Sequence, residues 1–230
     1  MDSRFLGATL ALSLLMISTT AAANTMTGPL TLTTGCCTAP RDPSTVFDPN
    51  NSPVTLTGWV DVSGLSVGSA VFIGLIDKQQ YDLAGSTFMS GAYTYISRAD
   101  ATTLWVGPSD GNLGGEIVQE FDLVNGETLV NFTTVIGGGQ ISVDWSAGSQ
   151  SGGPVLDTYG DVKTLNNASG YAWDEFEFGA ILGVDVFANS TPGTVDFSVT
   201  AVPEPSSAVL LGLCLLGAVT RRRASAQRQR

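Results

Sequence analysis

The 230-residue chain contains no histidine. That absence removes Ser-His-Asp and Cys-His nucleophile pairs, His-ligated zinc, and histidine acid–base chemistry. Basic residues are scarce as well, with ten Lys and Arg against 21 Asp and Glu. Charged residues make up 13% of the chain, about half the usual fraction for a soluble domain. What the sequence has instead is glycine, 27 residues of it, which points to a turn-rich protein and not a helical one.

The first 23 residues read as a secretory signal. Arg4 gives a weak positive start, residues 5–17 (FLGATLALSLLMI) are uninterruptedly apolar, and Ala21-Ala22-Ala23 is a small-x-small cleavage pattern. Signal peptidase is expected to cut after Ala23, with Ala21 and Ala23 as the recognised positions, so that the mature chain starts at Asn24. At the other end, Val202-Pro203-Glu204-Pro205-Ser206 precedes the apolar run 208–219 (AVLLGLCLLGAV) and then Arg221, Arg222 and Arg223. Twelve apolar residues make roughly 18 Å of helix, short for a hydrocarbon core of about 30 Å. The arginines form a cytoplasmic stop, which leaves everything before them outside.

The order of a Pro203-Glu204-Pro205 break, a short apolar helix and a basic stop resembles the PEP-CTERM protein-sorting signal of Gram-negative bacteria. The resemblance covers residues 202–230. It implies an exported protein held transiently in the inner membrane, processed near the motif by an exosortase-type transpeptidase, and delivered to the cell surface or exopolysaccharide matrix. In logic it parallels a removable lipid-anchor signal.

Between these ends lie 179 residues, 24–202, enough for one domain with a good core. This segment carries 19 acids and four bases (Arg41, Lys78, Arg98 and Lys163), a net charge of −15. Such a surface repels nucleic acid and anionic lipid, so no nucleic-acid partner is expected. Its hydrophobic period is two. Residues 54–62 alternate polar with apolar, residues 71–76 (VFIGLI) suit a strand buried on both faces, and further runs follow at 93–96, 103–106, 117–124, 128–136, 140–145, 182–187 and 194–200. Asp110-Gly111 and Asn125-Gly126 are hairpin signals, and only residues 162–168 suggest a helical turn. About ten strands without a helical crossover predict an all-β fold, an antiparallel β-sandwich of jelly-roll type, flanked by the signal helix and a short transmembrane helix.

The run Trp173-Asp174-Glu175-Phe176-Glu177-Phe178-Gly179, together with Phe72-Ile73-Gly74-Leu75, resembles strands of concanavalin-like, laminin-G-type jelly rolls. That class binds glycans and calcium through loops. Its glucanases present carboxylates as E-x-D-x-E on one strand face, and here Trp173, Glu175 and Glu177 fill those positions, so the first carboxylate is missing. A retaining glycosidase needs a pair about 5–5.5 Å apart, and no catalytic residue is assigned. A carbohydrate-active hydrolase using Glu175 and Glu177 is the alternative to a non-enzymatic structural, adhesive or polysaccharide-binding protein.

Three further sites are candidates. Asp110, Asn112 and Glu116 offer hard oxygens for calcium, although EF-hand spacing is absent and a plain hairpin turn explains Asp110-Gly111; Asp157 and Asp161 flank Tyr159 in another loop. No other cofactor is implied. Cys36 and Cys37 are adjacent, and in an exported protein they close on each other as a vicinal disulfide, pair with another molecule, or stay free. Cys214 lies in the apolar tail. Among the tryptophans, Trp59 and Trp105 sit within strand alternation and are expected in the core, whereas Trp145 and Trp173, near glycine-rich loops, are the glycan-stacking candidates over a default of core packing.

Overall fold

In the computed structural model of the chain, residues 23–32, 35–36, 40–78, 91–109, 118–123, 126–158, 180–188 and 193–204 are described. The strands are β1 (Asn24–Thr27), β2 (Leu30–Leu32), β3 (Gly35–Cys36), β4 (Arg41–Phe47), β5 (Val54–Asp61), β6 (Ala70–Asp77), β7 (Gly91–Arg98), β8 (Thr103–Ser109), β9 (Gln119–Asp122), β10 (Leu129–Gly137), β11 (Gln140–Ala147), β12 (Gln150–Thr158), β13 (Ala180–Ala188) and β14 (Gly193–Pro203). A 3-10 turn, Val62–Gly64, follows β5, and the Asp61 carboxylate caps it by accepting from the Ser63 amide at 2.9 Å.

Alternation turns directly into layers. In β10 and β11 every second side chain is buried, and the two strands pair from Val130↔Ala147 to Gly137↔Gln140 through a two-residue Gly138-Gly139 turn. Both turn glycines have positive φ, 59° and 80°, as a tight hairpin turn of this hand demands. The first sheet runs β1-β14-β5-β10-β11-β12, with β2 also on β14; the second runs β3-β13-β6-β7-β8-β9, with β4 also on β13. All pairings among the described residues are antiparallel.

The two sheets close over one apolar core. Leu56, Val130, Phe132, Ile136, Val143, Phe197 and Val199 of the first meet Val71, Ile73, Leu75, Ile96, Leu104, Val106 and Leu182 of the second. Burying each such side chain fully is worth about 1.5–3 kcal/mol. At mid-core the hydroxyls of Thr94 and Thr134, both 0% exposed, bond to each other across the two sheets. The fold is therefore an antiparallel β-sandwich, as alternation predicts. The continuous run in β6 is buried on both faces: Phe72, Ile76, Tyr93, Tyr95 and Ile181 form a second cluster on the outer side of the second sheet. Phe72 packs edge-on against Tyr93 at 5.8 Å and tilted against Tyr95 at 5.0 Å.

Five strands appear where no run was read, β1 to β4 and β12. The first four serve one purpose. β1 and β2 pair with β14, and β3 and β4 pair with β13, so one N-terminal segment covers an edge of each sheet in turn. Covering an edge removes a row of unpaired backbone groups that would otherwise template aggregation. The Asn24 side-chain amide ties the two edges together by donating to the Asp42 carboxylate at 2.6 Å. β12 is interrupted by Gly152-Gly153-Pro154, where its register against β11 shifts between Val143 and Trp145. A proline on an outermost strand costs no ladder bond that the sheet needs.

Residues Ala23–Pro203 form one compact unit. Of residues 1–22 and 204–230 only Glu204 is described, so the expected signal helix and C-terminal helix lie outside the described residues. The same holds for the expected helical turn at 162–168 and for the Asp110-Gly111 turn.

Candidate functional site

The outward face of the first sheet is built from the odd positions of β5 and their partners. Val54, Leu56, Val60 and Val62 point inward, which leaves Thr55, Thr57, Trp59 and Asp61 outside. Cross-strand register then aligns side chains in rows. One row runs Thr27, Ser198, Trp59, Asn131, Ser146, Ser151. Its neighbour runs Thr25, Thr200, Thr57, Thr133, Asp144, about 19 Å over five strands. Thr25 and Thr200 bond hydroxyl to hydroxyl at 2.9 Å. Asp144 is the one charge in these two rows.

Trp59 is 36% exposed at the centre of this field. Its outward position follows from its neighbour. Gly58 takes the inward slot, where a Cβ would stand 2.2 Å from the Ser198 carbonyl and 3.0 Å from the Phe132 ring. Next to Trp59, the side chains of Asn131, Thr133, Asp144 and Ser146 surround an open depression of ≈ 200 Å³, whose other lining residues are Phe132 and Trp145. None of those four polar side chains hydrogen-bonds to another described residue, so their donors and acceptors face solvent. The arrangement offers an aromatic face beside hydroxyl, amide and carboxylate groups held by rigid strands.

Two tryptophans reverse the expectation drawn from sequence, and a third takes its default of core packing. Trp59 and Trp105, read as core, are 36% and 38% exposed; Trp145, read as a glycan-stacking candidate, is 7% exposed. Trp145 stacks on Phe121 with ring centroids 4.2 Å apart and 20° between planes, and its indole N–H donates to Gln119 Oε1 at 2.9 Å. Strand parity is the cause: Trp145 shares the inward face with Ile141, Val143 and Ala147. Trp105 faces out from the second sheet opposite Glu120, whose carboxylate takes its N–H at 3.2 Å. Trp173, the other stacking candidate, lies outside the described residues.

So do most remaining sequence candidates: the carboxylates Glu175 and Glu177, the calcium set Asp110, Asn112 and Glu116, and Asp161, Tyr159, Cys37, Cys214, Ala21, Pro205, Arg221, Arg222 and Arg223. Cys36 is described in its backbone, which pairs with Phe187 in β13. Among the described residues, no three His, Cys, Asp or Glu side chains gather as a metal cluster.

Three carboxyls lie below the ordinary value of 3.8, each through donated hydrogen bonds. Asp42 is held down by the Ser44 hydroxyl, then by the Ser44 amide and by Asn24. Burial pushes Asp61 up, but the Ser63 amide and the Thr128 and Ser63 side chains outweigh it. Asp100 is lowered chiefly by the Thr102 amide, with further bonds from the Thr102 hydroxyl and from Thr103. All three stabilise local turns and edges.

At the C-terminal end, β14 continues to Pro203, which pairs with Val54, and Glu204 follows as an exposed residue outside the strand. Ala23, the expected signal-cleavage position, precedes β1 and is exposed. Because Asn24 pairs with Ala201, the two ends of the sandwich chain leave it from neighbouring strands.

Residues 201–223 match the PEP-CTERM protein-sorting motif. The chain therefore carries the sorting signal of an exported protein with a C-terminal membrane anchor before processing by an exosortase. No curated protein matches its sequence. Among solved structures, it is similar to the Bacteroides ovatus xyloglucan PUL protein GH43B, at 9% identity over 66% of this chain and 27% of that one, with a TM-score of 0.45. It is similar to a family 7 alginate lyase A1-II′ in complex with substrate, at 12% identity over 79% and 78% of the two chains and a TM-score of 0.42. The Bacillus licheniformis GH43 protein BlXynB gives 13% identity over 76% and 32%, with a TM-score of 0.45. This chain thus spans about a quarter to a third of the two GH43 proteins.

Proposed function

We propose that the mature protein, freed of its signal after Ala23 by signal peptidase and of its tail by the sorting enzyme, resides at the cell surface or in the extracellular matrix. There it acts as a non-enzymatic structural or adhesive protein that binds extracellular polysaccharide. The outward face of the first sheet is the binding surface. The observation that carries this reading is Trp59, an indole standing outward among hydroxyl and amide side chains whose hydrogen-bonding capacity is unused.

The chemistry follows from what a sugar presents. A pyranose ring has an apolar C–H face that packs on an indole, and a rim of hydroxyls that exchange hydrogen bonds with Asn131, Thr133, Asp144 and Ser146. A net charge of −15 on the exported segment opposes polyanions such as uronate polymers. Uncharged polysaccharide is the ligand class that this surface favours.

A glycan array probed with the exported chain, with and without calcium, tests the reading, followed by hydrolysis assays on every glycan that binds. Retention of neutral polysaccharide without turnover supports it. Turnover abolished by Glu177→Gln replaces it with the hydrolase alternative. Selective retention of polyanionic glycans contradicts the ligand class.

A further inference from the structure

The sorting motif begins inside the folded sandwich. Its matched residues start at 201, yet Ala201, Val202 and Pro203 are the last three residues of β14, paired with Leu56, Thr55 and Val54 of β5. Ala201 is 0% exposed, as are its partner Leu56 and Val54, the partner of the half-buried Pro203. On its other side Ala201 pairs with Asn24 of β1. Glu204 is the first residue of the motif that stands outside the sheet. No linker separates the core of the domain from its sorting signal.

We propose that the sorting enzyme acts on the chain with β14 in place, and that the bond it breaks lies on the C-terminal side of Pro203. The sandwich itself then marks where the signal begins to be available. In the step, the carbonyl carbon on the mature side passes from the amide nitrogen of the tail to a nucleophile, water or an amine. The proton of that nucleophile ends on the nitrogen of the released tail. Cleavage before Pro203 would instead require the end of β14 to peel away from β5, and at Ala201 from Asn24 of β1 as well, opening the core over Val54 and Leu56. The N-terminal end obeys the same geometry: Asn24, first residue after the expected signal cut, is also first in β1. Both maturation points are flush with paired strands, on neighbouring strands at one end of the sheet.

The test is made on the full chain in cells that contain the sorting enzyme, reading the C-terminus of the mature protein by mass spectrometry. A mature chain that retains Pro203 is expected; one that ends before it overturns the proposal. Independently, Thr55→Cys and Val202→Cys place cysteines at registered positions of β5 and β14, both outside the core. Directly opposed residues of antiparallel strands have Cα separations of about 4.5–5.5 Å, within the range that a disulfide spans. The oxidised, locked chain is expected to be processed to the same C-terminus and at the same rate as the two single-cysteine chains. Accumulation of unprocessed precursor in the locked chain alone, at least tenfold above the single variants, means that the strand must unzip and overturns it. Should the double variant fail to fold, the mass of the wild-type C-terminus still decides.

Discussion

Trp145 in β11 and Phe121 in β9 stack at 4.2 Å although they belong to different sheets, and the Trp145 indole is fixed from above by Gln119 at 2.9 Å. This pair closes one side of the sandwich much as Asn24 and Asp42 close the other. It also dictates a neighbour. Register places Gly152 opposite Trp145, and a Cβ there would stand 2.1 Å from Gln119 Oε1 and 2.7 Å from the indole nitrogen.

Replacing Trp145 by alanine is accordingly expected to cost about 3–5 kcal/mol, as for other large aromatic deletions in a core. Gly152→Ala displaces the Gln119 amide and forfeits its bond to the indole, a loss of about 1 kcal/mol. Urea unfolding of both variants measures this. A Gly152→Ala midpoint equal to wild type would mean that Gln119 does not hold the indole.

The Thr94–Thr134 bond predicts non-additivity. Thr94→Val leaves the Thr134 hydroxyl buried without its partner, which costs about 1–3 kcal/mol. Changing both residues to valine removes the polar pair altogether and is expected to fall close to wild type. A double-mutant cycle reads the coupling directly; additive single losses would show that the hydroxyls find other partners.

Much of this fold can be read along the chain, and the residues that cannot share a reason. β10 and β11 alternate cleanly because each buries one face, and β6 reads as a continuous apolar run because it buries two. By contrast β1 to β4 have little pattern of their own: they exist as pairing partners of β14 and β13, a nonlocal cause that local periodicity does not carry. Gly152-Gly153-Pro154 hides β12 in the same way, since the sequence looks like a loop and the structure uses it as a bulged edge. At the candidate site, the alternation of residues 54–62 is legible, but the side of Trp59 is not obvious until Gly58 is recognised as an inward position filled by Phe132. Parity with Val54, Leu56 and Val60 is the signal that finds it.

Acid should weaken the turns and the N-terminal edge. Asp42, Asp61 and Asp100 all have folded values below the ordinary 3.8. A lowered carboxyl contributes stability that is complete above its unfolded value and is lost as pH falls through the folded one. Stability is therefore expected to hold constant with respect to these groups down to about pH 5 and to decline from about pH 4 downward. Asp42→Asn keeps the residue's shape but removes its titration, so its unfolding midpoint should fall less steeply than that of wild type between about pH 4 and about pH 2. Parallel slopes would remove Asp42 from the account.

Trp59 and Trp145 should separate stability from binding. Trp59 projects from the sheet and gives up little packing, so Trp59→Ala is expected to change stability by no more than about 0.5 kcal/mol. If a sugar ring stacks on it, the same substitution removes roughly 1 kcal/mol of affinity, about fivefold in the dissociation constant. Asn131→Ala, one position along the same row, should weaken binding to a similar degree by removing a hydrogen bond of about 1 kcal/mol. Trp105→Ala serves as the comparison, because that indole is equally exposed but lies on the outer side of the other sheet with its N–H engaged by Glu120. Affinity electrophoresis in gels containing a neutral polysaccharide that binds the wild-type chain measures all three beside urea unfolding. Loss of retention with Trp105→Ala and none with Trp59→Ala would move the binding surface to the second sheet.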